Sequence, residues 1–331
     1  MTLGSGLSIF RVSKTENHPI RWNWLTLVGP DARDFLHRLT TVDARNLEVG
    51  QGTKGFFLSA VGRVRAAFTV WNYDRDSFGF ELEAGIDGSW KKNLLEVIDQ
   101  YTFAEKFTLT PELPLECVWI FSESEQNLPA TLQGVGSLST RAIDEELRVC
   151  HHGSQDFGRV WLSVWGSATR LEQWSDRELK GAAALNFEQI ERLRISSARP
   201  WVGREITSLL MPLEAGMLDA IAQQKGCYPG QEVIERVLTQ GSPPRRLVAL
   251  EGNGKVPAVG EKILNLAEPP VEVGEITTVL SLTESSDSGL NFVALGFVRK
   301  TAGNQGSEVA LASGGRAIIA KIAGLEMAVE K

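Results

Sequence analysis

The sequence is poor in the residues that build disulfide frameworks and metal sites. Its three cysteines, Cys117, Cys150 and Cys227, are too few and too scattered for a disulfide framework. That scarcity fits a reducing, cytoplasmic setting. None of the four histidines stands at zinc-ligand spacing with a cysteine, and the adjacent His151 and His152 are predicted to be a surface pair. We therefore expect no metal bound by this chain alone.

Long apolar runs and a basic charge excess are also missing. No run of eighteen apolar residues occurs, so the sequence predicts no membrane-spanning helix. Residues 1–10 lack the basic-then-apolar pattern of a secretory signal. A net charge of −7 argues against a nonspecific nucleic-acid binder, because such proteins carry a basic face. We expect neither membrane nor direct nucleic-acid binding, and a local basic pocket for an anionic small molecule is compatible with these numbers.

The apolar residues that are present predict a layered α+β fold. A chain of 331 residues with 43% apolar composition can bury the cores of two or three domains. Apolar periodicity and turn residues predict helices after Gly29-Pro30, from Ser89 to Gln100 (with Trp90, Leu94, Leu95 and Ile98 on one side), and over 186–193. They predict strands at 24–28, 56–59, 63–71, 78–84, 103–110, 115–121 and 159–165. This order of elements favours α+β layers over a doubly wound sheet.

The character of the sequence changes after the linker Gly241-Ser242-Pro243-Pro244. Short strand-like runs at 247–250, 273–280, 292–298 and 317–322 alternate with turn residues, which predicts a small β-barrel or sandwich. We therefore divide the chain into residues 1–240 and a C-terminal β-barrel domain, 241–331. The first part is expected to hold two interleaved α+β subdomains, with 50–112 belonging to the first or middle one.

One run of residues suggests chemistry. Residues 225–232 are Lys-Gly-Cys-Tyr-Pro-Gly-Gln-Glu, and a helix is predicted from Gln231 onward. Cys227 would lie on the loop before this helix, where the helix N-terminus and Lys225 favour a thiolate. The alternative is a buried, inert cysteine in a turn. No histidine follows His152, so a Cys–His pair would need a long return from the N-terminal half.

Residues 225–232 resemble the signature of the YgfZ proteins, which are folate-binding relatives of the glycine cleavage T-protein, an aminomethyltransferase. Other family features follow in the family's order: Leu-Val-Gly-Pro-Asp-Ala at 27–32, Gly62-Arg63 before a strand, Gly-Arg-Glu at 203–205 and Pro-Leu-Glu-Ala-Gly at 212–216. The resemblance covers roughly residues 20 to 250. It implies a ring-like, three-domain α+β architecture with ferredoxin-like layers, a C-terminal small β-barrel and a central folate channel.

The resemblance also implies a cofactor and partners. The cofactor would be tetrahydrofolate or a folate derivative, and the partners would be iron–sulfur client enzymes, including one that modifies tRNA. In that family the motif cysteine and lysine are needed for function. These roles carry over to Cys227 and Lys225.

Two positions depart from the T-protein pattern. Ala66 and Ala67 stand where a T-protein has adjacent aspartates, and a methyl group cannot orient an amine or move a proton. Ser196 stands where a T-protein has a glutamate that accepts hydrogen bonds from the pterin ring. A serine hydroxyl cannot accept two such hydrogen bonds in the bidentate way that a carboxylate can. Glu205 or Glu214 are the candidates to substitute for that glutamate.

Further candidate contact residues follow from the anionic glutamate tail of a folate, because the planar guanidinium of arginine can donate two hydrogen bonds to a carboxylate. The cofactor-binding candidates are Arg194, Arg204, Arg236, Lys225, Tyr228, Gln231 and Glu232, with Arg245 and Arg246 as further arginines. Lys225 could instead favour the thiolate, and Gln231 and Glu232 could simply stabilise their own helix. The alternating Trp22, Trp24, Trp161 and Trp165 are expected to pack in the core.

The leading hypothesis is a folate-binding accessory protein for iron–sulfur enzymes, with Cys227 as its thiol. The second is a folate-dependent aminomethyltransferase, against which Ala66 and Ala67 count. The third is a binding module that keeps the fold without folate, for which Ser196 is the best support.

Overall fold

The computed structural model describes residues 6–12, 22–83, 89–110, 115–154, 156–239, 241–282 and 289–324. The chain divides into two compact units. The larger unit consists of residues 3–186 and 219–231, and the barrel unit contains residues 187–218 and 232–331. The domain boundary predicted at residue 240 lies outside the described residues, and that division stays a prediction.

Where the structure describes the larger unit, it contains two mainly antiparallel sheets and three α-helices. Its helices are α1 (Ala32–Leu39), α2 (Ser89–Tyr101) and α3 (Ala168–Glu178). Its strands are β1 (Ser8–Val12), β2 (Trp22–Val28), β3 (Gly52–Leu58), β4 (Val64–Asp74), β5 (Ser77–Glu83), β6 (Thr108–Thr110), β7 (Leu115–Ser122), β8 (Ser139–Ala142), β9 (Arg148–Gly153), β10 (Val160–Ser167) and β11 (Ala183–Ala184). The predicted strands and helices of this region are thus present.

The first sheet has the strand order β3-β4-β5-β2-β6 and packs with α1 and α2. In β4 the buried positions alternate from Val64 through Phe68 to Val70, because successive side chains of a strand point to opposite faces. The core includes Phe35 from α1 and Leu94 from α2. Burying each such side chain fully contributes about 2 kcal/mol.

Two details of this region differ from the sequence prediction. Leu95 was expected on the buried side of α2, but it is 37% exposed and Val97 is buried instead. The strand predicted over 103–110 is shortened to β6, and Phe103 is 87% exposed. Both residues are apolar, so hydropathy alone did not distinguish a core position from a surface one.

The second sheet has the order β11-β1-β7-β10-β9-β8. Its β10 is buried on both faces, and Trp22, Trp24, Trp161 and Trp165 are all core residues, as predicted. The prediction that His151 and His152 form a surface pair is wrong. They lie on β9 and are only 2% and 6% exposed, and the ring of His152 stacks on Trp161 with centroids 3.9 Å apart.

The barrel unit holds a closed six-stranded barrel in the order β12-β15-β14-β13-β16-β17. Its strands are β12 (Arg245–Gly252), β13 (Lys262–Leu264), β14 (Glu272–Ser281), β15 (Phe292–Arg299), β16 (Glu308–Leu311) and β17 (Arg316–Ile322), and its helices are α4 (Phe187–Ser196) and α5 (Gln231–Thr239), whose first residue falls in the larger unit. The predicted C-terminal barrel is therefore confirmed. None of the helices in the described ranges is long and apolar enough to span a membrane.

Candidate functional site

The loop that carries Cys227 is fixed to the larger unit on both sides of the thiol. Before it, the backbone N–H of Ala222 donates to the carbonyl oxygen of Thr41 at 2.9 Å, and the Thr41 hydroxyl donates to Ala220 at 2.6 Å. After it, Gly230 takes φ +84° and lies so close to the turn at Ser59 that an added Cβ would meet the Ser59 carbonyl oxygen at 2.5 Å. Only glycine tolerates both conditions.

Lys225 is the strongest attachment of this loop. Its Nζ donates to the backbone carbonyls of Thr40 at 2.6 Å, of Val42 at 2.9 Å and of His37. These three acceptors match the three hydrogens of an ammonium group, and a positive charge at the end of α1 complements the helix dipole. Nζ also lies 4.9 Å from the ring centroid of Tyr228, which is a cation–π distance.

Burial disfavours the charged form of Lys225, and a neighbouring carboxylate partly offsets that effect. Desolvation lowers the pKa of Lys225 to about 8, against the raising effect of the Asp43 carboxylate. The side chain is 6% exposed. Lys225 is therefore a buried structural cation, and its N–H groups all bond to backbone carbonyl oxygens.

Cys227 itself is exposed, which decides against the buried alternative. Cys117 and Cys150 are buried, and burial raises the pKa of both their thiols well above the usual value. Of the three cysteines, Cys227 is thus the one that solvent and a partner molecule can reach.

Sequence reasoning missed two side chains beside this loop, His37 and Asp43. His37 lies in the last turn of α1 and is 6% exposed. Its Nδ1 is 3.1 Å from Oδ1 of Asp43, and its Nε2 is 3.7 Å from the point where a Cβ on Gly226 would stand. His37 of the N-terminal half therefore lies beside Gly226, in the loop that carries Cys227.

Several known proteins resemble the chain in sequence, although no protein-family model matches it. The tRNA-modifying protein YgfZ of Serratia proteamaculans is 24% identical over 274 residues, covering 81% of this chain and 80% of its own. A chloroplast protein of Arabidopsis thaliana described as a transferase is 23% identical over 305 residues, covering 89% and 67%. An aminomethyltransferase of Symbiobacterium thermophilum is 26% identical over 319 residues, covering 89% and 80%.

The fold agrees as well. The glycine cleavage system aminomethyltransferase T of Bartonella henselae has a TM-score of 0.76 at 16% identity, covering 97% of this chain and 86% of that one. The chain is similar to the YgfZ proteins and their aminomethyltransferase relatives. The T-protein-like α+β architecture with a C-terminal barrel is confirmed.

Ala66 and Ala67, which the resemblance places at the T-protein aspartate positions, lie on β4. Ala66 pairs with Phe57 and is 1% exposed, and the half-buried Ala67 pairs with Phe56. Neither position carries a carboxylate, and Ala66 belongs to the apolar core of the first sheet. The strand therefore offers no proton-moving group at these two positions.

Arg194 forms a saturated ion-pair network inside the barrel unit. It donates to Glu191 through Nε and Nη2, to Glu205 and the Arg199 carbonyl through Nη1, and to Thr278 through Nη2. An arginine has five N–H groups, so all of them are used. A folate carboxylate could reach Arg194 only by displacing one of these partners, and the side chain is 0% exposed.

The two glutamates considered as substitutes for Ser196 are also engaged. Glu205 accepts from Arg194, from Thr278 and from the backbone of Trp201. Glu214 pairs with Arg245 at 3.0 Å and accepts from the N–H of Met211. Both carboxylates are buried and hold their own unit together, so their geometry does not support the substitution.

The other residues that the sequence predicts to contact a folate are distributed over the two units. Tyr228 and Gln231 belong to the larger unit with Lys225 and Cys227, whereas Glu232, Arg204 and Arg236 belong to the barrel unit, as does Arg194. Arg236 and Glu232 are exposed on α5. Arg204 donates to Glu191 at 2.7 Å, and its guanidinium lies 5.6 Å from the Trp201 ring centroid.

Within the described ranges, no group of three or more His, Cys, Asp or Glu side chains could hold a metal ion.

Proposed function

We propose that this protein binds a reduced folate and supports tRNA modification by assisting the assembly or repair of iron–sulfur enzymes, with Cys227 as its functional thiol. The likeness to tRNA-modifying YgfZ proteins along about four fifths of the chain supports the tRNA link. The observation that carries the role of Cys227 is its exposure on a loop fixed on both sides, by Lys225 and by Gly230. A fixed loop presents the thiol in one geometry to a partner.

The folate contacts are proposed from donor chemistry. Arg236 is exposed on α5 and suits the anionic tail, and Arg204 has donors beyond its bond to Glu191. Glu232, which is exposed on the same helix as Arg236, completes the set proposed within the barrel unit. Lys225 and Arg194 are left out because their N–H groups are all bonded within the protein. Tetrahydrofolate, when bound, would carry a one-carbon group.

A folate-dependent aminomethyltransferase is the second candidate. The likeness to an aminomethyltransferase at 26% identity favours it. Ala66 and Ala67 count against it, since neither can assist the transfer of an aminomethyl group. Transfer from an aminomethyl donor to tetrahydrofolate by the purified protein would favour this candidate over the accessory role.

The folate proposal is tested by calorimetric titration with tetrahydrofolate. We expect saturable binding to the wild type and about tenfold weaker binding to Arg236→Gln, since one charge-assisted contact is lost. Arg316→Gln is the matched control, because Arg316 is an exposed barrel arginine paired with Glu308. Absence of binding to the wild type at millimolar ligand contradicts the folate proposal.

The thiol proposal is tested in cells that lack the protein. We expect Cys227→Ala to leave the iron–sulfur enzymes inactive, while Cys117→Ala, which removes a buried thiol of the same unit, restores them. Equal amounts of the two variants must be verified by immunoblot. Full rescue by Cys227→Ala rules out a functional role for this thiol.

A further inference from the structure

A buried chain of polar side chains joins the two sheets of the larger unit. Glu81 lies on β5 of the first sheet, whereas Ser163 on β10 and His152 on β9 belong to the second sheet. All three side chains are buried. A buried polar group is costly unless it is hydrogen-bonded, so this chain is stable only in protonation states that complete its hydrogen bonds.

The Ser163 hydroxyl is the middle member of the chain. Its Oγ lies 3.2 Å from Oε1 of Glu81 and 2.8 Å from Nε2 of His152, and it accepts from the indole N–H of Trp165 at 3.0 Å. The other carboxyl oxygen of Glu81 accepts from the indole N–H of Trp71 at 3.0 Å. A serine hydroxyl has one hydrogen, so it donates either to Glu81 or to His152 and not to both.

Two complete hydrogen-bonding arrangements satisfy this geometry with a neutral imidazole. When Glu81 carries its proton, its O–H donates to Ser163, the Ser163 hydroxyl donates to Nε2 of His152, and the ring proton is on Nδ1. When Glu81 is ionised, the Ser163 hydroxyl donates to the carboxylate, and Nε2–H of His152 donates to Ser163. Nε2 is 3.5 Å from Oε2 of Glu81, longer than an ordinary hydrogen bond, so the hydroxyl makes the connection.

We propose that Glu81, Ser163 and His152 form a pH-sensitive switch in which the protonation state of Glu81 sets the tautomer of His152. As the pH rises, Glu81 gives one proton to solvent, Ser163 keeps its own, and the imidazole exchanges Nδ1–H for Nε2–H with no net gain or loss. Nδ1 thereby changes from hydrogen-bond donor to acceptor, so the second sheet responds to the charge of a carboxyl on the first. The switch goes beyond the proposed function and depends neither on folate nor on Cys227.

Glu81 titrates in a range where such a switch can operate. Burial raises the pKa of Glu81 to about 8, with Glu83 acting in the same direction and hydrogen bonds from Trp71, Ser163 and Trp165 opposing it. At neutral pH the carboxyl is therefore protonated, and the arrangement with Nδ1–H is the one expected.

The other titratable side chains around Glu81 keep their protons over this range. Tyr73 on β4, Cys117 on β7 and Cys150 on β9 interact with it electrostatically, and burial raises the pKa of all three well above the usual value. Arg148 acts in the opposite direction on Tyr73 and Cys150 without reversing either shift. Glu81 is therefore the member of this cluster that loses its proton first as the pH rises.

Nitrogen-15 NMR of the histidine side chains in the full chain tests the switch. The sequence has four histidines, so selective labelling gives few signals, and His152→Gln identifies the signals of His152 by their loss. A protonated ring nitrogen and one that only accepts differ widely in chemical shift. We expect about nine tenths of the molecules to carry Nδ1–H at about pH 7 and nearly all to carry Nε2–H at about pH 9.5, where circular dichroism verifies the native fold.

Three variants separate the switch from a general effect of pH. Glu81→Gln should keep Nδ1–H at both pH values, because its amide N–H donates to Ser163 as the protonated carboxyl does. Ser163→Ala should abolish the exchange, because the connection between the sheets is cut. Ser175→Ala is the matched control, since it removes another buried serine hydroxyl of the same unit and should leave the exchange unchanged.

The tautomer of His152 decides the outcome. A wild type that carries Nε2–H or a doubly protonated ring at about pH 7, or that keeps Nδ1–H at about pH 9.5, overturns the proposal. A folded Ser163→Ala that retains the wild-type exchange also overturns it. If Ser163→Ala does not fold, Glu81→Gln decides, and an exchange in that variant equal to the wild type's overturns the switch.

Discussion

The Nζ atom of Lys225 lies 2.6 Å from the carbonyl oxygen of Thr40, the residue that caps the C-terminus of α1. Because the same ammonium also bonds the carbonyls of His37 and Val42, one side chain satisfies the end of a helix and fixes the loop that carries Cys227. The lysine of the signature therefore has a structural task that explains its presence without direct contact with a ligand.

Lys225→Met removes the ammonium and leaves three buried carbonyl oxygens without their donor. We expect the free energy of unfolding to fall by about 2–5 kcal/mol, since each unsatisfied buried acceptor costs about 1–3 kcal/mol and some regain water. Urea denaturation followed by circular dichroism measures this. Lys92→Met is the control, because Lys92 is an exposed lysine whose side chain keeps 78% of its surface. A loss below about 0.5 kcal/mol for Lys225→Met would argue against the structural role.

Gly230→Ala places a Cβ where the structure has no room. The added carbon would meet the Ser59 carbonyl oxygen at 2.5 Å, and φ is +84°. We expect a loss of more than about 2 kcal/mol in thermal or urea unfolding, from backbone strain together with overpacking. Gly134→Ala is the matched control, because Gly134 has φ +73° but nothing within 4 Å. It should lose only about 1 kcal/mol, and equal losses would refute the close approach.

Arg194→Met leaves Glu191 and Glu205 buried without their shared cation. We expect destabilisation by about 3–5 kcal/mol, the usual result of breaking a buried ion pair from one side. Arg316→Gln should change the unfolding free energy by less than about 1 kcal/mol, because its pair with Glu308 is exposed. Chemical denaturation of both variants provides the comparison. If Arg194→Met unfolds at the wild-type denaturant concentration, the network contributes no net stability.

Glu81 links stability to pH. Burial raises its pKa to about 8, although hydrogen bonds from Trp71, Ser163 and Trp165 act in the opposite direction. The native state therefore keeps a proton on Glu81 that the unfolded chain releases above its ordinary pKa of 4.5. Stability from this group is complete below pH 4.5 and is lost as pH rises through about 8.

Glu81→Gln isolates this effect. We expect the wild type to lose on the order of a few kcal/mol relative to the variant between pH 5 and pH 8, because the amide does not titrate. Urea midpoints of the two proteins across that range measure the difference. Parallel pH curves would show that Glu81 is ionised in the native state throughout.

Much of the fold followed from local sequence. The alternation in β4 and the turn residues between the barrel strands predicted strands, because side-chain period and turn chemistry are local properties. Helix α3 and six strands were missed at the level of sequence: β1, β8, β9, β11, β13 and β16. His151 and His152 were read as surface residues because they are polar, and only the packing of β9 against β10 buries them.

The sequence by itself determined that Cys227 lies on a glycine-bounded loop before a helix, in a run that resembles the YgfZ signature. These are properties of neighbouring residues. Only the tertiary structure decided that the ammonium of Lys225 bonds to backbone carbonyls at the end of α1 and that every N–H group of Arg194 is bonded. It also decided that the His37 ring lies beside Gly226, with Asp43 next to it. Those relationships join residues far apart in the chain, and burial and hydrogen-bond geometry, which no local pattern encodes, decide which of them exist.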